Sequence, residues 1–130
     1  MIIDASAVMA ILLREPEKDL FPGAVLAEPQ SAMSAGTWIE LAAVITRKQR
    51  DDLEESLRCL LLEGGVRIVA VTPDQAELGH RAYRKFGIGS GHRARLNLGG
   101  CFAYALAKEG GEPLLYKGDD FVQADIVRAV

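Results

Sequence analysis

Met1-Ile2-Ile3-Asp4-Ala5-Ser6-Ala7-Val8-Met9-Ala10-Ile11-Leu12-Leu13 opens the chain and decides its fold class. Met1 to Asp4 is a minimal apolar strand ending on a carboxylate. Ala5 to Leu13 is apolar enough for a buried helix, and it stops before Pro16 because the residue preceding proline avoids helical angles. An acid at the C-terminal edge of an opening strand lies where open α/β sheets place ligands and catalytic groups.

Outward from that opening, helical and strand patterns alternate. A second helical stretch falls between Glu17 and Glu28, and a short strand around Ser31 to Ser34. Trp38, Leu41, Ala42 and Ile45 repeat at helical spacing, as do Leu53, Leu57, Leu60 and Leu61, the latter closed by Gly64-Gly65. Val66 to Val71 is β-branched and reads as a buried strand. Thr72-Pro73-Asp74-Gln75 has the cap, the first-turn proline and the third-position Gln of a helix start, and that helix should reach Phe86. Gly87 to Leu96 reads as a loop. Asn97 caps a helix from Leu98 to about Glu109, ended by Gly110-Gly111. Leu114-Leu115-Tyr116 is a last inner strand. The alternation predicts an α/β fold with a parallel sheet.

The 130 residues suit one domain, 1–130, able to bury a core. With 49% hydrophobic and 25% charged residues the chain is globular rather than disordered. No apolar run has the roughly 18 residues of a membrane span, and the opening lacks the pattern of a signal peptide. A cytoplasmic location is expected. Cys59 and Cys101 fall in helical patterns and read as buried thiols, with neither a disulfide framework nor metal-ligand spacing. A net charge of −3 excludes a molecule that is cationic all over. Nucleic-acid contacts must use local bases, at Arg47-Lys48-Gln49-Arg50 or Gly91-His92-Arg93-Ala94-Arg95.

The chemistry rests on carboxylates. Asp4, Glu40 in Thr37-Trp38-Ile39-Glu40, and the pair Asp119-Asp120 would repel if gathered unpaired at one sheet edge. A Mg²⁺ or Mn²⁺ ion removes that conflict, because such ions prefer oxygen ligands. An ion-bound water can attack phosphorus, so metal-assisted phosphodiester hydrolysis is the natural reaction class. Other roles stay open. Asp4 can cap the first helix, Glu40 can close a capping box on Thr37, and Asp119-Asp120 can be turn residues after Gly118. A phosphorylated receiver domain would also be parallel α/β with a late lysine, here Lys117. It needs an acidic pair after its first strand and an Asp closing a central one, and Val66 to Val71 ends on none.

The blocks Met1 to Ala7, Thr37 to Glu40, Arg95-Leu96-Asn97-Leu98-Gly99-Gly100-Cys101-Phe102-Ala103-Tyr104-Ala105-Leu106-Ala107 and Lys117-Gly118-Asp119-Asp120-Phe121 occur in an order that resembles VapC toxins. These are PIN-domain endoribonucleases of type II toxin–antitoxin systems. The resemblance implies a parallel sheet of four or five strands flanked by helices, and RNA cleavage dependent on Mg²⁺ or Mn²⁺, often in a tRNA or rRNA loop. It implies a VapB-type antitoxin, a homodimer, and DNA contact only through the antitoxin. Asp4 and Glu40 match the family's first two acids, and Asp119, or its neighbour Asp120, matches the fourth. All would hold metal, with Asp4, Glu40 and Asp119 catalytic and Ser6 supporting. His92, Arg93 and Arg95 lie in a loop that could meet RNA phosphates, and His92 could serve as a general base.

The third family acid is replaced by Gly100. Its loss should weaken metal binding and misplace the attacking water. Glycine at the third position of a helix also costs up to about 1 kcal/mol relative to alanine. Two explanations follow: an inactivating substitution, natural or introduced, or a degenerate toxin that still binds its antitoxin. In the second the chain is a catalytically inactive scaffold. The apolar, leucine-rich stretches between Glu17 and Glu28 and around Leu53 to Leu61 could then supply a dimer face or a groove for an amphipathic partner helix, or could equally be core.

Overall fold

The computed structural model describes residues 1–16 and 19–130. Four strands, β1 (Ile2–Ile3), β2 (Ala32–Ser34), β3 (Arg67–Val69) and β4 (Leu114–Leu115), form a parallel sheet in the order β3-β2-β1-β4. The order reverses between β1 and β4, which makes the crevice beyond their C-terminal ends a switch point. Helices α1 (Ala5–Leu12), α2 (Leu20–Ala27), α3 (Ala35–Arg47), α4 (Asp51–Glu63), α5 (Pro73–Phe86) and α6 (Leu98–Gly110) flank it. Glu17 and Lys18, where the second helical stretch was expected to begin, lie outside the described residues.

Both faces of the sheet are covered, and the two-residue period of a strand divides its side chains between two cores. Ile3, Met33 and Leu115 join Val8, Phe21, Leu41 and Leu57 on one face. Ile2, Ala32 and Leu114 join Leu96, Tyr104 and Phe121 on the other. The central strands therefore read as unbroken apolar runs.

The ends of the sheet depart from expectation. The Val66–Val71 run was expected to be a buried strand, yet β3 takes only its middle and is an edge, with Ile68 and Val71 exposed. β4 ends the sheet on the other side, where Leu114 pairs with Arg128 in a single bridge. Cys101 is buried as expected, and burial pushes its thiol up to about 11. Cys59 is exposed on α4, a correction: the helical pattern does not say which flank of the apolar stripe faces water.

Helix starts follow the sequence closely. Thr72 Oγ1 accepts from the Gln75 backbone N–H at 3.1 Å, with Pro73 in the first turn. The Gln75 side chain does not return to the cap, donating instead to Glu109 at 2.6 Å. Asn97 Oδ1 accepts from the Gly100 N–H at 2.7 Å, and Gly111 ends α6 in the left-handed region. Of the helices, none is long and apolar enough to cross a membrane among the described residues.

Candidate metal centre

β1 delivers Asp4 to the top of the sheet, where only 4% of the residue is exposed. Its backbone N–H donates to Leu115 O at 2.9 Å, which fixes the end of β1 to β4. Its side chain caps α1: Oδ2 accepts from the Ser6 N–H at 2.9 Å and from the Ser6 hydroxyl at 2.5 Å. Ser6 Oγ in turn accepts from the Lys117 N–H at 3.0 Å. Ser6 thus ties Asp4 to the segment after β4. Asp4 Oδ1 is enclosed and has no protein partner.

Glu40 reaches the same place from α3. The helix is capped by Ser34, whose Oγ accepts from Gly36 N–H at 3.2 Å. Thr37 lies inside the helix, so Glu40 does not close a capping box on it. The Glu40 carboxylate rests against α6 where Gly99 leaves room, and a Cβ at Gly99 would overlap it. Glu40 Oε2 is also enclosed without a partner.

Asp4, Ser6, Glu40, Asn97, Gly100, Asp120 and Phe121 line one cleft of about 180 Å³. Of the acidic pair, Asp120 lines it and Asp119 does not, a correction to the expectation that put Asp119 first. Gly118, with φ of 87°, starts the turn that carries them past β4. Gly100 lies on the cleft at the third position of α6, as read from the sequence. A Cβ there would meet Leu96 Cδ1 at 2.8 Å and Phe121 Cζ at 3.1 Å. The volume an aspartate side chain would start from is filled by two apolar neighbours.

Burial, and to a lesser degree mutual repulsion, holds these acids above the usual carboxylate range. Burial pushes the Asp4 carboxyl above the usual range, the Ser6 hydrogen bonds pull against it, and the charge of Asp120 adds to the rise. Glu40 is raised by burial and then by Asp4. Asp120 is raised by burial and by Asp119, while Arg95 lowers it. Two enclosed, partnerless carboxylate oxygens on one cleft fit a hard divalent cation that keeps part of its water shell. Among the described residues, no three of His, Cys, Asp or Glu gather closely enough to hold a metal ion.

His92 is engaged elsewhere. Its Nδ1 accepts from the Ala94 N–H at 3.1 Å and its ring stands edge-on to Phe86 at 4.9 Å. Those contacts shape the loop and leave the imidazole outside the cleft lining. Arg93 and Arg95 are exposed. The contribution of Gly99 was not foreseen; it stands beside Gly100, and no one-residue signal separates a glycine that admits Glu40 from one that does not.

The PIN-domain family matches residues 1–127. Ribonuclease VapC42 of Mycobacterium tuberculosis is 44% identical over 126 residues, covering 97% of this chain and 96% of the relative. Ribonuclease VapC of Mycolicibacterium smegmatis is 44% identical over 126 residues, with 97% of each covered. The chain belongs to the VapC ribonucleases of the PIN-domain family. Two solved structures share the VapC fold seen here. One is VapC20 of M. tuberculosis, described as a sarcin-ricin loop cleaving toxin, with a TM-score of 0.75, 16% identity, and 97% of this chain and 95% of that one covered. The other is a toxin–antitoxin complex from Klebsiella pneumoniae, with a TM-score of 0.67, 18% identity, and 99% and 97% covered. The sheet of this VapC-family chain, with Asp4 at the reversal of strand order, is thus a nuclease scaffold.

Proposed function

We propose that this VapC-family ribonuclease is the toxin of a toxin–antitoxin pair, a cytoplasmic endoribonuclease that hydrolyses RNA phosphodiester bonds with Mg²⁺ or Mn²⁺ and is weakened by Gly100. The observation that carries it is the pair of enclosed, partnerless oxygens, Asp4 Oδ1 and Glu40 Oε2, on one cleft. A bound ion would acidify a water and neutralise phosphate charge. The chain's own residues do the rest. Asp4 and Glu40 would hold the ion, Ser6 fixes the Asp4 carboxylate through two hydrogen bonds, and Asp120, which lines the same cleft, would serve as the fourth acid. Asn97 secures the first turn of α6, so that position 100 faces the cleft with or without a side chain.

A VapB-type antitoxin is the proposed partner, supported by the toxin–antitoxin complex among the structural neighbours. Exposed Leu20 and Leu26 on α2 and Leu62 on α4 offer apolar contacts for a partner helix. A homodimer is supported by Ile39 on α3 and Leu98 on α6, 65% and 68% exposed and adjacent in sequence to Glu40 and Gly99. Exposed apolar side chains on adjoining helices can pair with their copies across a two-fold axis. Replacing Ile39 with lysine should then give monomers in sedimentation.

Gly100, at the position of the family's third acid, favours a second reading, an inactive scaffold that binds antitoxin only. RNA cleavage with Mn²⁺ separates the two. The nuclease reading expects weak cleavage that rises at least about ten-fold in Gly100→Asp, the order of effect of restoring a metal-site group. No cleavage by either protein would leave the scaffold.

A further inference from the structure

Charge is segregated along this chain in a way the acidic cleft does not explain. Between Glu77 and Glu109 there is no Asp or Glu, although the protein has 18 of them. The same stretch holds Arg81, Arg84, Lys85, Arg93, Arg95 and Lys108. Lys108 is paired with Asp125 at 3.2 Å, and Lys85 also feels Asp125. Arg84 and Arg93 are exposed, with no ion pair among the described residues.

The fold brings one end of this stretch to the cleft, which Asn97 and Gly100 line. The loop between α5 and α6 is pinched at its neck: Leu96 N–H donates to Phe86 O at 2.8 Å, and Ile88 N–H to Leu96 O at 3.1 Å. Inside it, Ala94 and Leu96 are fully buried, and Arg95 between them is exposed. Arg95 has φ of 47°, the left-handed region that a non-glycine residue enters at a cost. Two buried anchors and an unfavourable backbone hold one guanidinium outward, two residues before Asn97, which lines the cleft. Lys85, its ammonium 4.6 Å from the Phe86 ring, stands at the root of the loop.

We propose that the Gly87–Leu96 loop and the end of α5 form the RNA-docking face, with Arg95 and Arg93 gripping backbone phosphates next to the acidic cleft. This rests on the ribonuclease reading and adds the surface that brings a polyanion to an acidic site. A cleft of carboxylates repels RNA, so a row of cations at its rim supplies the attraction. Arg95, two residues before the cleft-lining Asn97, is the contact residue, and its fork suits a phosphate.

The test is binding without catalysis. A fluorescein-labelled single-stranded 12-nucleotide RNA is titrated with the full chain in EDTA, by anisotropy, over a range of salt. Arg93→Gln/Arg95→Gln should weaken binding about ten-fold and flatten the log–log salt slope by about 1.4, two phosphate contacts at about 0.7 each. Arg95→Gly relieves the left-handed backbone, so it should keep or raise Tm while still losing affinity; a merely structural arginine would lower Tm. Lys48→Gln, which removes one charge at the end of α3 as Arg95→Gly does in the loop, should bind as the parent does. Unchanged affinity and slope in the double variant overturn the proposal. So does an equal loss in Lys48→Gln, or a poly-glutamate peptide binding as tightly as the RNA. A chain that binds RNA through these arginines yet cuts none with Mn²⁺ keeps the docking face and sinks the nuclease reading instead.

Discussion

Two helix starts face the same cleft and solve the same problem differently. At α1 the capping residue is Asp4, and one carboxylate both accepts the Ser6 N–H and presents a free oxygen to the cleft. At α6 the cap is Asn97, a neutral group that accepts the Gly100 N–H and presents no charge. The α1 start cannot lose its site function without changing its cap. The α6 start can, because capping belongs to position 97 and the family's acid to position 100. Charge can therefore disappear from α6 while the fold stays, and Gly100 is the instance.

The largest expected effect comes from putting the charge back. Gly100→Asp should tighten Mn²⁺ binding by about 10- to 100-fold in calorimetry. Its Cβ must displace the tip of Leu96, so some loss of Tm accompanies the gain. Unchanged affinity would mean the cap and the acid at α6 are not separable. Next comes the neighbouring glycine. Gly99→Ala adds no charge, yet it evicts the Glu40 carboxylate and should weaken Mn²⁺ binding about ten-fold by misplacing a ligand.

Removing the neutral cap is smaller and falls on stability. Asn97→Ala should cost about 1 kcal/mol, a few degrees of Tm in thermal unfolding for a chain of this size. The smallest effect concerns the charged cap. Asp4, Glu40 and Asp120 are all held above the usual carboxylate range. The folded state thus binds protons more readily than the unfolded chain. The stability these groups carry is full below the ordinary carboxylate range and is lost as pH rises through the raised values. Asp4→Asn keeps a capping oxygen and removes a buried charge. Without divalent ions it should melt slightly above the parent at about pH 7, with the gap closing near about pH 4.

Much of this was legible in the sequence because single residues carry it. Thr72-Pro73 and Asn97 announce their helices, and Asp4 stands at a strand end that only an α/β sheet explains. What was not legible depends on neighbours distant in the chain. The β-branched run at Val66 does not say that it borders solvent, because edge and centre differ in what lies beside the strand. Asp119 and Asp120 have equal claims until the Gly118 turn sets which one faces the cleft. The Thr37 to Glu40 spacing suits a capping box, but Ser34 begins the helix three residues earlier. Gly99 matters only because Glu40 approaches it from α3.

The most direct test of the central claim, that Asp4 and Glu40 share one divalent ion, is Mn²⁺ titration of the chain, Asp4→Asn and Glu40→Gln by isothermal calorimetry. One ion per chain is expected to bind the parent and to be lost in both variants. Undiminished binding in either variant would contradict the claim.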